Sequence, residues 1–554
     1  MSTVEAYGNL PPSGLPQILQ ELNSASIIGV DTETISIKDK SLIGLALAPS
    51  PDYAVWFQLG SPYFHIVLSI LRNPKITKVL YNSKFDFQAL EPLQIDESNF
   101  EDSMILAYTL NLPLKLYELA SHLKHPVPDK FYFFSISKNG TMLDTWNADP
   151  NFVIQKCCLD ASLALYCWYK LLPSITESYY IDHNIVHILR HMEKVGVKLD
   201  TDLVTKLSSE LETQTSFLRQ FIQTTEGCDP NSNRQVGIIL AQKGWRLPYT
   251  KSKRQLRVDE KTLREVPDPL AQLVLTYRGK AKLKSTYVNP LLNLPRAYTH
   301  YNNTSVITGR LSSSDPINMQ NIPDSLRAIF LPDQGSVLWS YDANQIELRV
   351  LAYLAQDKVM MKAFADGADI HKETMDRMGL NTMSNSIQAR KLAKVLNFTT
   401  VYLGGEQTLV ASARKEGINI TRAEAADFQA RYSQTYTGVR DYIQNQRDQI
   451  MKYGYVTTLY GRIRKAEPYR MGTPKLQEET IRELFNMPIQ GTAAEITKKM
   501  MARANGYDLR IQVHDELVYN KTCPPLNLFE NVAPFQTPLA LKVGLNWGNL
   551  KEVK

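Results

Sequence analysis

Across RKLAKVLNFTTVY, residues 390–402, Arg390, Lys394, Phe398 and Tyr402 recur at every fourth position. A helix carries such a row along one slowly drifting stripe, so the stretch fixes both a secondary structure and a face. Two cations followed by two aromatic rings match a ligand with a charged phosphate end and a flat apolar end, and a nucleoside triphosphate is one such ligand. An amphipathic helix with a basic edge and two core aromatics has the same pattern. The neighbouring segments bear on that choice.

On either side lie VLWSYDANQIELR, around Asp342, and RIQVHDELVYN, around Asp515. VLWSY reads as a buried strand, and Ile346, Val350, Tyr353 and Leu354 then follow helical spacing, which puts Asp342 at a strand-to-helix turn. Ile511 and Val513 lead into the second segment and Leu517 and Val518 lead out, so His514 and Asp515 fall at a hairpin tip. Two such tips side by side make a carboxylate cradle for magnesium, which suits phosphoryl transfer. Taken singly, either Asp is also an ordinary turn residue.

The first third has chemistry of its own. In SIIGVDTETIS, Asp31 and Glu33 are two residues apart on a β-branched strand, so both side chains leave one face and can share a metal; a solvated strand edge is the alternative. Further acids follow at Asp86 in YNSKFDFQAL, Asp102 in FEDSMILAYTLN and Asp160 in CCLDASLAL. A polar break at SITES precedes an amphipathic run with Ile185, Ile188, Leu189 and Met192, which marks a domain boundary near residue 180. Beyond it, Lys251, Lys253, Arg254 and Arg257, then Arg278, Lys280, Lys282 and Lys284, form two basic clusters that are either solvated faces or phosphate contacts.

With 554 residues the chain exceeds one core and is expected to form about two to four domains. A net charge of +6 permits nucleic-acid binding without requiring it. Five cysteines show neither zinc spacing nor a disulfide framework, which implies a reducing, intracellular setting. No targeting segment or membrane span is read, so a cytoplasmic location is expected.

Eight segments together resemble a family A DNA polymerase, in family order: TGRLSSSDP (308–316), MQNIP (319–323), DANQIELR (342–349), DIHKETM (369–375), RKLAKVLNF (390–398), TLYGRIR (458–464), NMPIQGTAAEI (486–496) and VHDELV (513–518). The resemblance implies an RNase H-like 3′–5′ exonuclease domain over about 1–180 and a right-hand polymerase domain over about 181–554. Within the latter it implies a thumb over about 200–295, a palm over about 296–358 and 480–554, and fingers over about 359–479. No sequence precedes the exonuclease region to form a 5′ nuclease domain, a layout that resembles the compact phage replicative type.

The resemblance also implies roles. Asp342 and Asp515, with the Ala343 carbonyl, would bind two Mg2+ ions, and Glu516 would lie close by as a catalytic acid. Arg390, Lys394, His371 and Gln345 would hold the dNTP triphosphate, with Lys394 serving the departing pyrophosphate. Phe398 would stack near sugar and base and discriminate against nucleotides lacking a 3′-hydroxyl; Tyr402 would lie at the templating position; Glu347 would crowd a ribose 2′-hydroxyl. Arg310, Arg482, Asn486, Gln490 and His514 would contact primer-template DNA. Pro488 is expected to break the helix between Asn486 and Gln490, so these two need not share a face. In the exonuclease region Asp31, Glu33, Asp86 and Asp160 would hold two divalent ions. The chain is expected to act as a monomer, and no docking segment for a processivity factor or helicase-primase is evident.

Several positions depart from the family pattern. Lys156 stands where a water-positioning Tyr is usual, implying weakened excision or a substitute group. Ala343 and Asn344 replace a frequent Tyr-Ser pair, and Thr399 and Leu403 stand where Gly is common. Other readings are a single-subunit RNA polymerase, a catalytically silent replisome protein, and an exonuclease with a vestigial polymerase half. Glu347 and the exonuclease acids count against the first. Retention of Asp342, Asp515, Arg390 and Lys394 counts against the second, and dNTP incorporation would decide the third.

Overall fold

The structure, a computed structural model, describes residues 5–7, 15–136, 140–250, 252, 254–382, 385–467 and 472–553. Lys251 and Lys253 of the first basic cluster lie outside the described residues. Among the described residues no helix is long and apolar enough to cross a membrane.

The amino-terminal part is built on strands β1 (Glu5–Tyr7), β2 (Ile27–Thr34), β3 (Leu42–Ser50), β4 (Tyr53–Gln58), β5 (Thr77–Leu80) and β6 (Phe100–Asp102), in the order β1-β4-β3-β2-β5-β6. β2, β3 and β4 pair antiparallel, whereas β5 and β6 join β2 in parallel, the mixed topology of an RNase H-like sheet. Helix Pro150–Leu171 starts with Asp149 capping the Phe152 amide and with Pro150 in its first turn, where no amide hydrogen is missed. It lies directly on β2 because Gly29 leaves room: a Cβ there would stand 2.2 Å from the Ala161 carbonyl oxygen. That close approach brings Asp160, one residue before Ala161, against the strand that carries Asp31 and Glu33.

The carboxyl-terminal part surrounds a five-stranded antiparallel sheet whose central strand is Leu338–Ala343. Glu516–Asn520 flanks it on one side and Leu539–Gly544 on the other, and Leu509–Val513 lies beyond Glu516–Asn520. Both faces of the central strand are covered. Tyr341 belongs to one apolar cluster with Leu517 and Tyr519, and Leu338 to another with Ile511 and Val518. Helices Ile346–Leu354 and Pro474–Arg503 pack together behind the sheet. A helical lobe from Lys358 to Tyr453 includes Ser386–Val401, and a second lobe pairs Thr201–Glu226 with Pro269–Lys282 around its own small core of Ile222, Leu240, Leu263 and Val274.

Pro488 does not end its helix, which runs unbroken over Pro474–Arg503. Proline removes one backbone donor, but Phe485, Met487, Ile489 and Ala493 are all buried around it, and that packing outweighs a single lost hydrogen bond. The consequence is geometric: Arg482, Asn486 and Gln490, four residues apart, form one row on one helix.

The two halves meet at a buried charge cluster. Arg462 donates to Asp182 at 2.7 Å and to Glu495 at 3.1 Å, and Lys498 reaches the other Asp182 oxygen at 2.5 Å. All four side chains are at most 2 % exposed. The Arg462 guanidinium also lies over the Tyr108 ring, and Tyr108 donates to the Val306 carbonyl, so amino-terminal and carboxyl-terminal residues share one network. Removing one member would leave an uncompensated buried charge, which costs about 3–5 kcal/mol.

Candidate active sites

Asp342 and Asp515 come together at the floor of a cleft of about 500 Å³. Asp342 is the penultimate residue of its strand, and His514 and Asp515 are the two-residue turn of the hairpin joining Val513 to Glu516. Two non-glycine residues beside them hold left-handed backbone, Gln345 at φ +55° and His514 at φ +52°. Each such position costs roughly 1–3 kcal/mol and persists where surrounding structure enforces it. At Gln345 the bend swings the chain from strand into helix; at His514 it closes the hairpin and keeps Asp515 aimed inward. Burial pushes the Asp515 carboxyl up to about 7, with Arg310 opposing that rise and Glu347 and Asp342 adding to it. A carboxylate so disfavoured wants a cation beside it, and this cradle fits a divalent metal.

The opposite wall is helix Ser386–Val401. Its buried face carries Ala389, Leu392, Ala393 and Leu396, which leaves Arg390, Lys394, Phe398 and the following Tyr402 along the cleft. Arg390 is paired with Asp369 at 2.6 Å, and among the described residues Lys394 pairs with no acid. His371 is only 4 % exposed; burial lowers its pKa to about 4, so it is neutral. Asn397 Nδ2 donates to its Nδ1 at 3.0 Å, which places the ring proton on Nε2. Gln345 and the Ala343 backbone complete the lining.

Glu347 is clamped. Arg310 donates to one oxygen at 2.5 Å, the Tyr402 hydroxyl reaches the other at 3.4 Å, and Gln490 bonds the same hydroxyl. These contacts bring Arg310 and Gln490, from distant segments, to the edge of the cleft. Glu516, expected as a catalytic acid beside the metal pair, is not among the residues lining the cleft. Its carboxylate accepts from Ser340 Oγ at 2.6 Å and from Trp547 Nε1 at 3.3 Å, so those donors hold it away from the reacting centre.

The basic clusters of the small helical lobe are largely committed inside the protein. Arg278 donates to the Pro230 and Val258 carbonyls and to Asn233, tying that lobe's tip together. Lys280 bonds Gln214, Lys284 pairs with Glu212, and Arg257 pairs with Asp259. Arg254 and Lys282 are exposed.

The amino-terminal acids form a second site, a largely buried cluster. Asp31, Glu33 and the Cys157 thiol place ligand atoms within 4.8 Å of one another, and among the described residues no other three His, Cys, Asp or Glu do so. Asp86 stands beside this group and accepts from Thr32 Oγ1 at 2.7 Å. Burial pushes Asp31 and Glu33 up and takes Asp86 to about 8. Asp160 is bridged to Glu33 by Lys156, whose Nζ lies 2.7 Å from Asp160 and 2.8 Å from Glu33. Burial opposes the charge on that lysine, but Asp160 and Glu33 outweigh it and hold its pKa well above the ordinary value. Sequence reasoning missed Tyr117, whose buried hydroxyl faces Asp160, and nothing in its local pattern marks it. Asp102 is structural: it caps helix Ser103–Thr109 and accepts from the Ser83 amide and hydroxyl.

Comparison with known proteins assigns a family to each of the two regions. The model of DNA polymerase family A matches residues 201–533, and that of the 3′-5′ exonuclease matches residues 11–170. DNA polymerase I of Pseudomonas aeruginosa is 29 % identical over 97 % of this chain and 65 % of its own length. The thermostable DNA polymerase I of Thermus filiformis is 34 % identical over 69 % of this chain and 50 % of its own. The chain spans about half the length of the first curated relatives it matches. A solved structure described as the POL domain of Pol1 from M. smegmatis in complex with DNA primer-template and dNTP shares the fold. It has a TM-score of 0.79 and 23 % identity, covering 97 % of this chain and 99 % of that one.

Proposed function

The chain belongs to DNA polymerase family A, and from that premise we propose that it adds dNTPs to the 3′ end of a primer on a DNA template and trims mismatched ends in its amino-terminal pocket. The observation that carries the polymerase reading is the single cleft in which Asp342 and Asp515 face the Arg390, Lys394, Phe398 and Tyr402 stripe.

Asp342, Asp515 and the Ala343 carbonyl would hold the Mg2+ ions at the cleft floor. When bound, two such ions activate the primer 3′-hydroxyl and neutralise charge on the leaving pyrophosphate. Arg390 exchanges Asp369 for a phosphate, and Lys394 supplies a cation and a proton to the departing group. His371, neutral with its proton on Nε2, donates a hydrogen bond without adding charge. Gln345, fixed by its backbone, closes the phosphate end.

At the other end Phe398 stacks on sugar and base, and Tyr402 marks the templating position. Glu347, held by Arg310 and Tyr402, crowds a ribose 2′-hydroxyl and selects deoxynucleotides. The row Arg482, Asn486 and Gln490 reaches minor-groove acceptors common to all correct pairs, which checks pair geometry without reading sequence. His514 lies beside the primer end, and the exposed cations Arg254 and Lys282 offer phosphate contacts in the thumb-like lobe. In the amino-terminal pocket Asp31, Glu33, Asp86 and Asp160 serve excision with a divalent metal.

Single-nucleotide incorporation on a matched primer-template tests the polymerase reading. It requires Asp342: Asp342→Asn should abolish incorporation while DNA binding persists. Incorporation by that variant at the wild-type rate, or none by the wild type, refutes the reading; the latter would favour a silent DNA-binding role.

A further inference from the structure

We propose that the Lys156 ammonium occupies one of the two cation positions of the amino-terminal pocket, so that this pocket takes one divalent ion rather than two. The proposal rests on reading the pocket as an exonuclease site. A second ion there would have to bridge the carboxylate on strand β2 to the carboxylate on helix Pro150–Leu171. That bridge is already made, because Nζ of Lys156 contacts Glu33 Oε1 at 2.8 Å and Asp160 Oδ2 at 2.7 Å. An ion taking the same oxygens would stand beside a like charge in a buried setting, where repulsion is weakly screened.

The ammonium has little freedom to leave. Lys156 lies one turn before Asp160 on the same helix, and its side chain is 18 % exposed. The helix itself cannot rise or slide easily, since the Ala161 carbonyl rests in the gap left by Gly29. On the opposite side of the pocket Asp31 and Glu33 converge with Cys157, with no ammonium between them; buried oxygens without a hydrogen-bond partner remain on both sides, at Asp31 Oδ2 and Asp160 Oδ1. One cation place is filled by the chain, and one remains for a metal.

The test counts ions. The full chain carrying Asp342→Asn and Asp515→Asn, which empties the polymerase cleft, is titrated with Mn2+ and the free ion followed by electron paramagnetic resonance. Adding Asp31→Asn with Glu33→Gln gives the background. We expect the pocket to account for one Mn2+ with Lys156 in place and two in Lys156→Tyr. In a chain with the cleft intact, Lys156→Tyr should also speed mismatch excision by roughly 10- to 100-fold. Lys156→Gln, one atom shorter and uncharged, gives the same count should the tyrosine variant fail to fold. Two ions with Lys156 present, or one in both variants, overturns the proposal. Excision that survives Asp31→Asn would instead refute the exonuclease reading, whatever the count.

Discussion

The two acid pockets of this chain solve the same electrostatic problem in opposite ways. At the Asp342 and Asp515 pair the cations Arg390 and Lys394 stand across an open cleft, on a separate helix, and leave the space between the acids free for a metal. At Asp31, Glu33 and Asp160 a lysine from the same helix as Asp160 sits among the acids and bridges Glu33 to Asp160 from within. A pocket compensated from across a cleft is ready to take a charged substrate between its walls. A pocket compensated internally is stable when empty but has less to offer an incoming ion. The difference predicts a strong polymerase joined to a restrained exonuclease.

The largest effect is expected from removing the cation across the cleft. Lys394→Ala should slow single-turnover dNTP incorporation by roughly 100- to 1,000-fold and leave excision unchanged, as read by quenched-flow assays of each reaction. Equal loss in both would mean that the pockets are not independent. The shared buried cluster offers the converse. Arg462→Ala should destabilise the fold by about 3–5 kcal/mol, lowering the thermal midpoint and both activities together.

Smaller effects sharpen the account of the cleft. Glu347→Ala should relax ribonucleotide exclusion by roughly tenfold, measured as the ratio of kcat/KM for dNTP and rNTP; an unchanged ratio would remove Glu347 from sugar selection. His371 gives the mildest signature. Its folded pKa, about 4, lies below the ordinary 6.5, so the unfolded chain takes up a proton first on acidification. The stability from keeping the ring neutral is therefore full above about pH 6.5 and is lost as pH falls toward 4. An NMR titration of the ring should show this low value, and a midpoint near 6.5 would contradict the buried, Asn397-bonded geometry.

What the sequence made legible were local periodicities. The stripe from Arg390 to Tyr402 and the two strand-end acids depend on residues within a turn or a hairpin of one another, and the fold places them as such spacing requires. What it concealed depends on distant partners. Pro488 reads as a helix break until Phe485, Met487 and Ile489 are seen buried around it. Glu516 reads as a catalytic neighbour until Ser340 and Trp547 are seen to hold it. Arg278 reads as a phosphate contact until the Pro230 and Val258 carbonyls claim it. The left-handed turns at Gln345 and His514 carry no glycine to announce them. Arg462 lies in a recognisable motif, yet only the fold brings Asp182, 280 positions away, to its guanidinium.

The most direct test of two separate pockets is a paired assay on matched and mismatched labelled primers with Mg2+, with and without dNTPs, using wild type, Asp515→Ala and Asp31→Ala. Asp515→Ala should lose extension but still trim, while Asp31→Ala should extend but no longer trim. Extension that survives Asp515→Ala would contradict the placing of polymerisation at the Asp342 and Asp515 pair.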